Sequence, residues 1–395
     1  MRAGTAGVIL LGGIIAFSIL FTKVRSQEIP PVHESFSVDT TAIEKTLILF
    51  DDFLHSNLDS MGTVGAAATI FHGDDIVYTL TYGVRRAGTK DSVNRNSVFR
   101  LASVSKGFAG VLLCKLQEQD HLDLDDRVIG YIPDFSLKDS VNTYDLSIRH
   151  LLNHTSGLVP HAYDNLVEDG QDIDEILPRL VEVDIAAPPG EIYGYQNVLF
   201  SLTDTISRLA TGQTYSDLMD KYIFGPLRMN NASTGFRKLV WNGNVAFPHT
   251  RRNGEFYPLP LHTGYYTLLP AVGVNASIAD MEKWLKALLG YSPETMDQKI
   301  LNLITTPEIE TPLKRAYTRH WDPIDGRYYS FGWRIYDYKG YRIMYHGGYV
   351  RGYQAQVAFC PALKTGIAML QNSPNGVASR SVPTYFNMLI GEINR

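Results

Sequence analysis

The chain has 395 residues, 45% of them hydrophobic and 19% charged, a composition that buries a core and excludes a disordered or low-complexity polymer. Its formal net charge of −5, from 36 basic and 41 acidic residues, comes without a basic stripe, so nucleic acid is not expected as a partner. Cys114 and Cys360 are the only cysteines, which leaves no disulfide framework and no CxxC metal spacing.

Ala3 to Thr22 carries no charge, with Arg2 before it and Lys23 and Arg25 after it. A helix of about 20 residues spans about 30 Å, the thickness of a bilayer core. Residues 1–26 are therefore expected to be a membrane anchor or a cleaved export signal, with Val24-Arg25-Ser26 as the cut site in the second case. Either way the body is expected outside the cytoplasm, in a periplasmic or other extracytoplasmic space. Polar residues 27–39, with paired prolines, are expected to be a linker.

Apolar Ile43, Leu47, Phe50, Phe53, Leu54 and Leu58 recur at helical spacing between Thr41 and Leu58. "TVGAAATIFHGDDIVYTLTYGV" follows as two strands joined at His72-Gly73-Asp74-Asp75. Ser103 opens the next helix, which runs on through Val111, Leu112, Leu113 and Leu116. From 120 to 300 the pattern is helical, broken by Pro, Gly and Asn, with Ser277 and Asp280 as a capping pair ahead of Met281, Trp284, Leu285 and Leu288. The tail changes to strands: "YSFGWRIYDY", "YRIMYHGGYV", "YQAQVAFCP" and "TGIAMLQN", closed by a helix over "VPTYFNMLIGEI". The fold class is α+β, an antiparallel sheet assembled from both chain ends with flanking helices.

Three short patterns carry chemistry. In "LASVSKGFAG", Ser103 and Lys106 are three apart and share a helix face, at an N-terminus whose backbone donors and dipole favour negative charge. A hydroxyl becomes a nucleophile once a base takes its proton, and a desolvated neutral lysine can do so. Alone, the pattern is more often a helix cap followed by a solvated lysine. "PPGEIYGYQNVLF" sets Tyr195-Gln196-Asn197 after a Pro-Gly turn and before a helix, and "MYHGGYVRGY" sets His346-Gly347-Gly348 at a strand end. His150 and His154 lack the glutamate of HExxH, and there is no GxSxG elbow, so neither a metalloprotease nor an α/β-hydrolase is indicated. No metal or cofactor is called for by any motif.

In this order and at these separations, the three motifs resemble the serine β-lactamase and penicillin-binding protein superfamily, in its class C-like branch. Further likeness lies in "LLNHTSGL", "AVGVNASIADMEKW" and "HGGYVRGYQAQVAFCP", and it extends over residues 40–395. The resemblance implies one catalytic domain there: a sheet lobe of about 40–100 plus 325–395, and an all-helical lobe of about 101–324. It implies Ser103 as the acylated nucleophile, Lys106 as its proton acceptor and Tyr195 as base or proton relay. Asn197 would hold the lysine and the substrate amide, and His346, Gly347 and Gly348 would line the site. Backbone N–H groups of Ser103 and Tyr349 would form the oxyanion hole.

Class C β-lactamases carry Lys-Thr-Gly where this chain has His346-Gly347-Gly348, so a fixed cation and a hydroxyl are missing. Arg351 and Arg380 are the candidates to replace the cation. The sequence thus points to a serine hydrolase acting through an acyl-serine on amides or esters, such as D-amino-acid peptides or esters, cell-wall-derived ones included. A true β-lactamase and a catalytically inactive receptor or scaffold using the same groove are the alternatives.

Overall fold

A 21-residue helix, α1 (Thr40–Ser60), turns Ile43, Phe50, Leu54 and Leu58 to one side and buries them, as the spacing predicts. The computed structural model describes residues 40–313 and 318–395. The expected anchor or signal at 1–26 and the linker at 27–39 lie outside the described residues, and no described helix is long and apolar enough to cross a membrane.

The hairpin follows as β1 (Gly65–His72) and β2 (Asp75–Gly83). Six further strands complete the main sheet: β3 (Ile309–Glu310), β4 (Gly326–Tyr329), β5 (Arg334–Tyr338), β6 (Tyr341–Val350), β7 (Tyr353–Cys360) and β8 (Thr365–Gln371). The order is β2-β1-β8-β7-β6-β5-β4-β3, and every described pairing is antiparallel. The sheet is therefore closed by strands from both chain ends, as expected.

Period-two alternation covers both faces of this sheet. Ala66, Ala68 and Ile70 of β1, with Ile367 and Met369 of β8, pack with α1 and the closing helix α6 (Val377–Ile393, labelled after those below). Ala67 and Phe71, with Ala368 and Leu370, face the larger core, built around α2 (Ser105–Glu118), α3 (Asn197–Thr211), α4 (Ile278–Leu288) and α5 (Gln298–Thr305). The α4 cap is the expected one: Ser277 Oγ accepts from Asp280 N, and Asp280 Oδ2 accepts from Ser277 N at 2.9 Å. Cys114 and Cys360 are both free and buried.

Two sequence expectations change in detail. The 101–324 segment is not all helix: Val274–Ser277 joins Val98–Arg100 and Ser233–Thr234 in a three-stranded sheet, and β3 extends the main sheet from 309. "YSFGWRIYDY" is not one strand but β4 and β5, broken over Ser330–Trp333. The reason for the break is steric. Gly332 has φ +80°, and a Cβ there would lie 2.1 Å from the carbonyl oxygen of Lys106, so the sheet bends away where α2 crosses it.

Gly332→Ala is accordingly expected to lower unfolding stability by about 1–3 kcal/mol, the usual range for an overpacked site, measured by urea denaturation. A change within about 0.5 kcal/mol would show that α2 and the β4–β5 turn are not in the contact described.

Candidate active site

Strand Val98–Arg100 delivers the chain directly to a 3-10 turn, Ala102–Val104, which precedes α2. Ser103 thus sits one turn earlier than a simple helix start. Ala102 has φ +49°, a strained conformation for a residue with a Cβ, of the kind that costs about 1–3 kcal/mol and persists where surrounding structure fixes it. Leu101 N bonds Val274 O at 2.9 Å, and Ser105 Oγ accepts from Val274 N at 2.9 Å. These two bonds stitch residues 271–274 beside the turn.

Gly348 of β6 closes the other side. A Cβ at that position would fall 2.1 Å from Leu101 O and 3.0 Å from Ser103 N, so only glycine lets the strand approach the Ser103 turn this closely. In β6, His346 and Gly348 alternate in step with Met344 and Val350, which belong to the helical core. Tyr349, the next residue, is exposed at the cavity rim.

Lys106 has no exposed surface. Its Nζ lies 2.7 Å from Asn197 Oδ1, 3.1 Å from Ala271 O and 3.4 Å from Ser103 Oγ. The Tyr195 ring centroid is 4.7 Å away and that of Phe200 5.4 Å. Burial pushes this amine well below the ordinary lysine value; the Asp164 carboxylate pulls it back up, and the Arg334 guanidinium pushes it further down. A neutral amine has two N–H donors and one lone pair. The two carbonyl-type oxygens can take the donors, which leaves the lone pair toward Ser103 Oγ.

Three histidine rings lie around the buried Tyr195, with centroids 4.3 Å away for His154, 5.3 Å for His161 and 6.5 Å for His346. His346 Nδ1 is 2.9 Å from the Gly347 carbonyl, so it carries the proton, and Nε2 accepts from Tyr329 O–H at 3.1 Å. His154 Nδ1 accepts from Gln196 N at 3.2 Å, which places its proton on Nε2. Desolvation, before all else, drives both imidazoles well below the usual histidine value, with Arg334 and Lys106 adding to the effect on each, so both are neutral.

A cavity of about 760 Å³ opens over Ser103, walled by Tyr195, Asn197, Arg334, Gly347, Tyr349 and Arg351. His161, Asp164 and Glu168 supply one further wall, and Leu259 to Tyr265 another. The structure therefore gathers Ser103, Lys106, Tyr195, Asn197, Gly347, Gly348 and Tyr349 in one place. His346 departs from expectation. It does not face the cavity but lies wholly buried behind Tyr195, because its strand parity directs it into the core. Arg380 departs too: it sits on α6, on the opposite face of the sheet, with Nε bonded to Gly376 O. Arg351 reaches the cavity rim.

Sequence reading missed Arg334, Asp164 and His154. Arg334 is buried on β5, lines the cavity, and donates to Tyr193 Oη at 3.3 Å, with its guanidinium 5.4 Å from the Tyr195 ring centroid. None of the three stands in a local pattern with Ser103; only "LLNHTSGL", which contains His154, gave a signal.

The sequence profile of the family described as Beta-lactamase matches residues 50–392. The unguisins hydrolase of Aspergillus violaceofuscus is 25% identical over 325 residues, 76% of this chain and 57% of its own length. This chain thus spans little more than half of that relative. Esterase EstB of Burkholderia gladioli is 30% identical over 300 residues, 66% of this chain and 75% of the esterase. Among solved structures, the octameric penicillin-binding protein homologue from Pyrococcus abyssi superimposes with a TM-score of 0.76 at 23% identity, covering 87% of this chain and 77% of that one. That likeness shows the same fold.

The depressed amine gives a pH dependence with a defined sign. Below its lowered value Lys106 is protonated and cannot accept from Ser103, so the rate of fluorophosphonate labelling at Ser103 is expected to fall with acidification, along a limb centred below 10.5. Lys106→Arg, which cannot give up its proton, is expected to slow labelling by about 10⁴-fold or more. Labelling that is flat with pH, or normal in the arginine variant, would remove Lys106 from the role of base.

Proposed function

The chain belongs to the Beta-lactamase family, and from that premise we propose that it is a serine hydrolase that cleaves amide or ester bonds through an acyl-serine. The observation that carries this reading is the buried Lys106 amine, 3.4 Å from Ser103 Oγ, with two carbonyl-type oxygens to occupy its hydrogens.

In the proposed reaction Ser103 Oγ attacks the carbonyl carbon as its proton passes to Lys106 Nζ. Backbone N–H groups of Ser103 and Tyr349 hold the oxygen of the tetrahedral intermediate. Its collapse breaks the bond to the leaving amine or alcohol, which takes a proton relayed from Lys106 through Tyr195. Water then attacks the acyl-serine by the same proton route in reverse, freeing the acid and restoring Ser103 Oγ–H. Asn197 holds Lys106 and offers its amide to the substrate.

The fixed cation missing from the strand motif has a substitute in Arg334, which lines the cavity behind Tyr195, and in Arg351 at the rim. This favours acyl donors that bear a carboxylate, D-amino-acid peptides among them, beside simple esters; it also keeps β-lactams in view. Peptide or small-molecule substrates of this kind, and export or anchoring by residues 1–26, are part of the proposal. The second half rests on the uncharged run from Ala3 to Thr22.

Ser103→Ala is expected to abolish turnover and covalent labelling with the fold intact, and mass spectrometry should place the adduct on Ser103. Ser105→Ala should retain activity but lose stability, by about 1–3 kcal/mol, because Ser105 Oγ is the buried acceptor for Val274 N. An adduct on another serine would overturn the assignment.

Substrate choice is tested by kcat/KM for nitrocefin, a D-Ala-D-Ala peptide and a neutral p-nitrophenyl ester. Arg334→Met should cost the carboxylate-bearing substrates about ten- to a hundredfold, the equivalent of about 1.5–3 kcal/mol, and the neutral ester much less. Equal losses on all three would deny Arg334 a part in specificity. A chain that starts at Gln27 should keep its activity; if it does not, the first 26 residues belong to the working structure.

A further inference from the structure

Asp164 is the first residue of the short helix Asp164–Glu168, on the cavity wall, and no motif drew attention to it. Its Oδ2 accepts from Asn197 Nδ2 at 2.8 Å, while His161 Nδ1 lies 2.8 Å from the same oxygen. A side-chain amide has one accepting end and one donating end, and a carboxylate only accepts. Asp164 therefore fixes which way the Asn197 amide is turned: Nδ2 must face the carboxylate, so Oδ1 must face Lys106 Nζ, 2.7 Å away. With the amide reversed, an N–H group of Asn197 would meet the Lys106 amine, which must then either face it donor against donor or turn its lone pair from Ser103 toward Asn197.

We propose that Asp164 is a positioning residue of the acylation step, one that locks the Asn197 amide against Lys106 and, by its own negative charge, sets the charge environment of the base. The proposal rests on Ser103 and Lys106 acting as nucleophile and base.

The groups that surround Lys106 make the electrostatic half specific. Asn197 of α3, the Ala271 carbonyl and Ser103 are neutral hydrogen-bonding partners. Tyr195 and Phe200 present ring faces. His154 and His346 are held neutral by burial. Arg334 of β5 opposes a second positive charge at Lys106, and Asp164 is the carboxylate that favours one. His161 faces Asp164 from the cavity side and screens it when protonated. Asp164 and Arg334 thus pull the amine in opposite directions, on top of a larger effect of burial. Removal of the carboxylate leaves burial and Arg334 unopposed, so the amine must lose its proton at a lower pH.

Two substitutions separate the two halves. Asp164→Asn can still present an oxygen to Asn197 Nδ2 but carries no charge; Asp164→Leu removes both. Hydrolysis of p-nitrophenyl acetate would be followed from pH 4 to 10, with rates normalised to the fraction of protein that a fluorophosphonate labels at Ser103. The asparagine variant is expected to shift the acid limb of kcat/KM down by about one unit, the low end of the effect of a nearby opposite charge. The leucine variant should show the same shift together with a fall in kcat of about tenfold or more and little change in KM. A merely structural role would lower the labelled fraction and leave the limb in place. An unmoved limb in the asparagine variant overturns the proposal. A wild-type protein that neither labels at Ser103 nor hydrolyses the ester overturns the hydrolase reading instead.

Discussion

A lysine with no exposed surface must either find counter-charges in contact or give up its proton. The surroundings of Lys106 favour the second course. Among the described residues no carboxylate lies within ion-pair distance of its Nζ; the near atoms are the carbonyl-type oxygens of Asn197 and Ala271 and the hydroxyl of Ser103. Burial lowers its basicity, and Arg334 acts in the same direction. The consequence for stability has a sign. The unfolded chain protonates this amine at a higher pH than the folded one does, so the cost of burying it is absent above the ordinary value of 10.5 and complete below the lowered folded value. In the proposed reaction, stability is thus exchanged for a base beside Ser103.

Five segments must meet to hold that amine. Val98–Arg100 leads to the strained Ala102 and hence to Ser103, and the 271–274 segment is stitched alongside it through Leu101 and Ser105. The start of α3 supplies Asn197, and β6 presses Gly348 against the Ser103 turn. The β4–β5 turn bends around the carbonyl of Lys106 itself. Each contact excludes water, and each excluded water strengthens the field of the charges that remain, Arg334 and Asp164. The same packing that shapes the cavity therefore sets the chemistry of the lysine.

Much of this was legible in the chain. Period-two and helical spacing announced the hairpin, α1, the tail strands and the capped α4, because each turns a regular face to the core and that spacing is written in its own residues, wherever its packing partner lies in the chain. Ser103 with Lys106 and Tyr195 with Asn197 were legible because each pair falls within three residues, in short motifs whose order along the chain carries the family resemblance. The rest depends on contacts across the fold. Arg334 reads in "FGWRIYDY" as an ordinary strand residue, and only the antiparallel pairing of β5 with β6 brings it to Tyr195. Asp164 opens a helix of five residues, too short for any periodicity to announce. His346 was legible as a site residue, yet strand parity sends its ring into the core behind Tyr195 rather than into the cavity. Arg380 failed as a candidate because α6 packs on the far face of the sheet.

The central claim is that Lys106 is a neutral amine when Ser103 reacts. It is tested most directly by its own titration, followed through the chemical shift of 13Cε in lysine-labelled protein and assigned by its absence from Lys106→Met. The account predicts a resonance that titrates well below 10.5, apart from the surface lysines. A Lys106 resonance that titrates with the surface lysines, at or above that value, would contradict it.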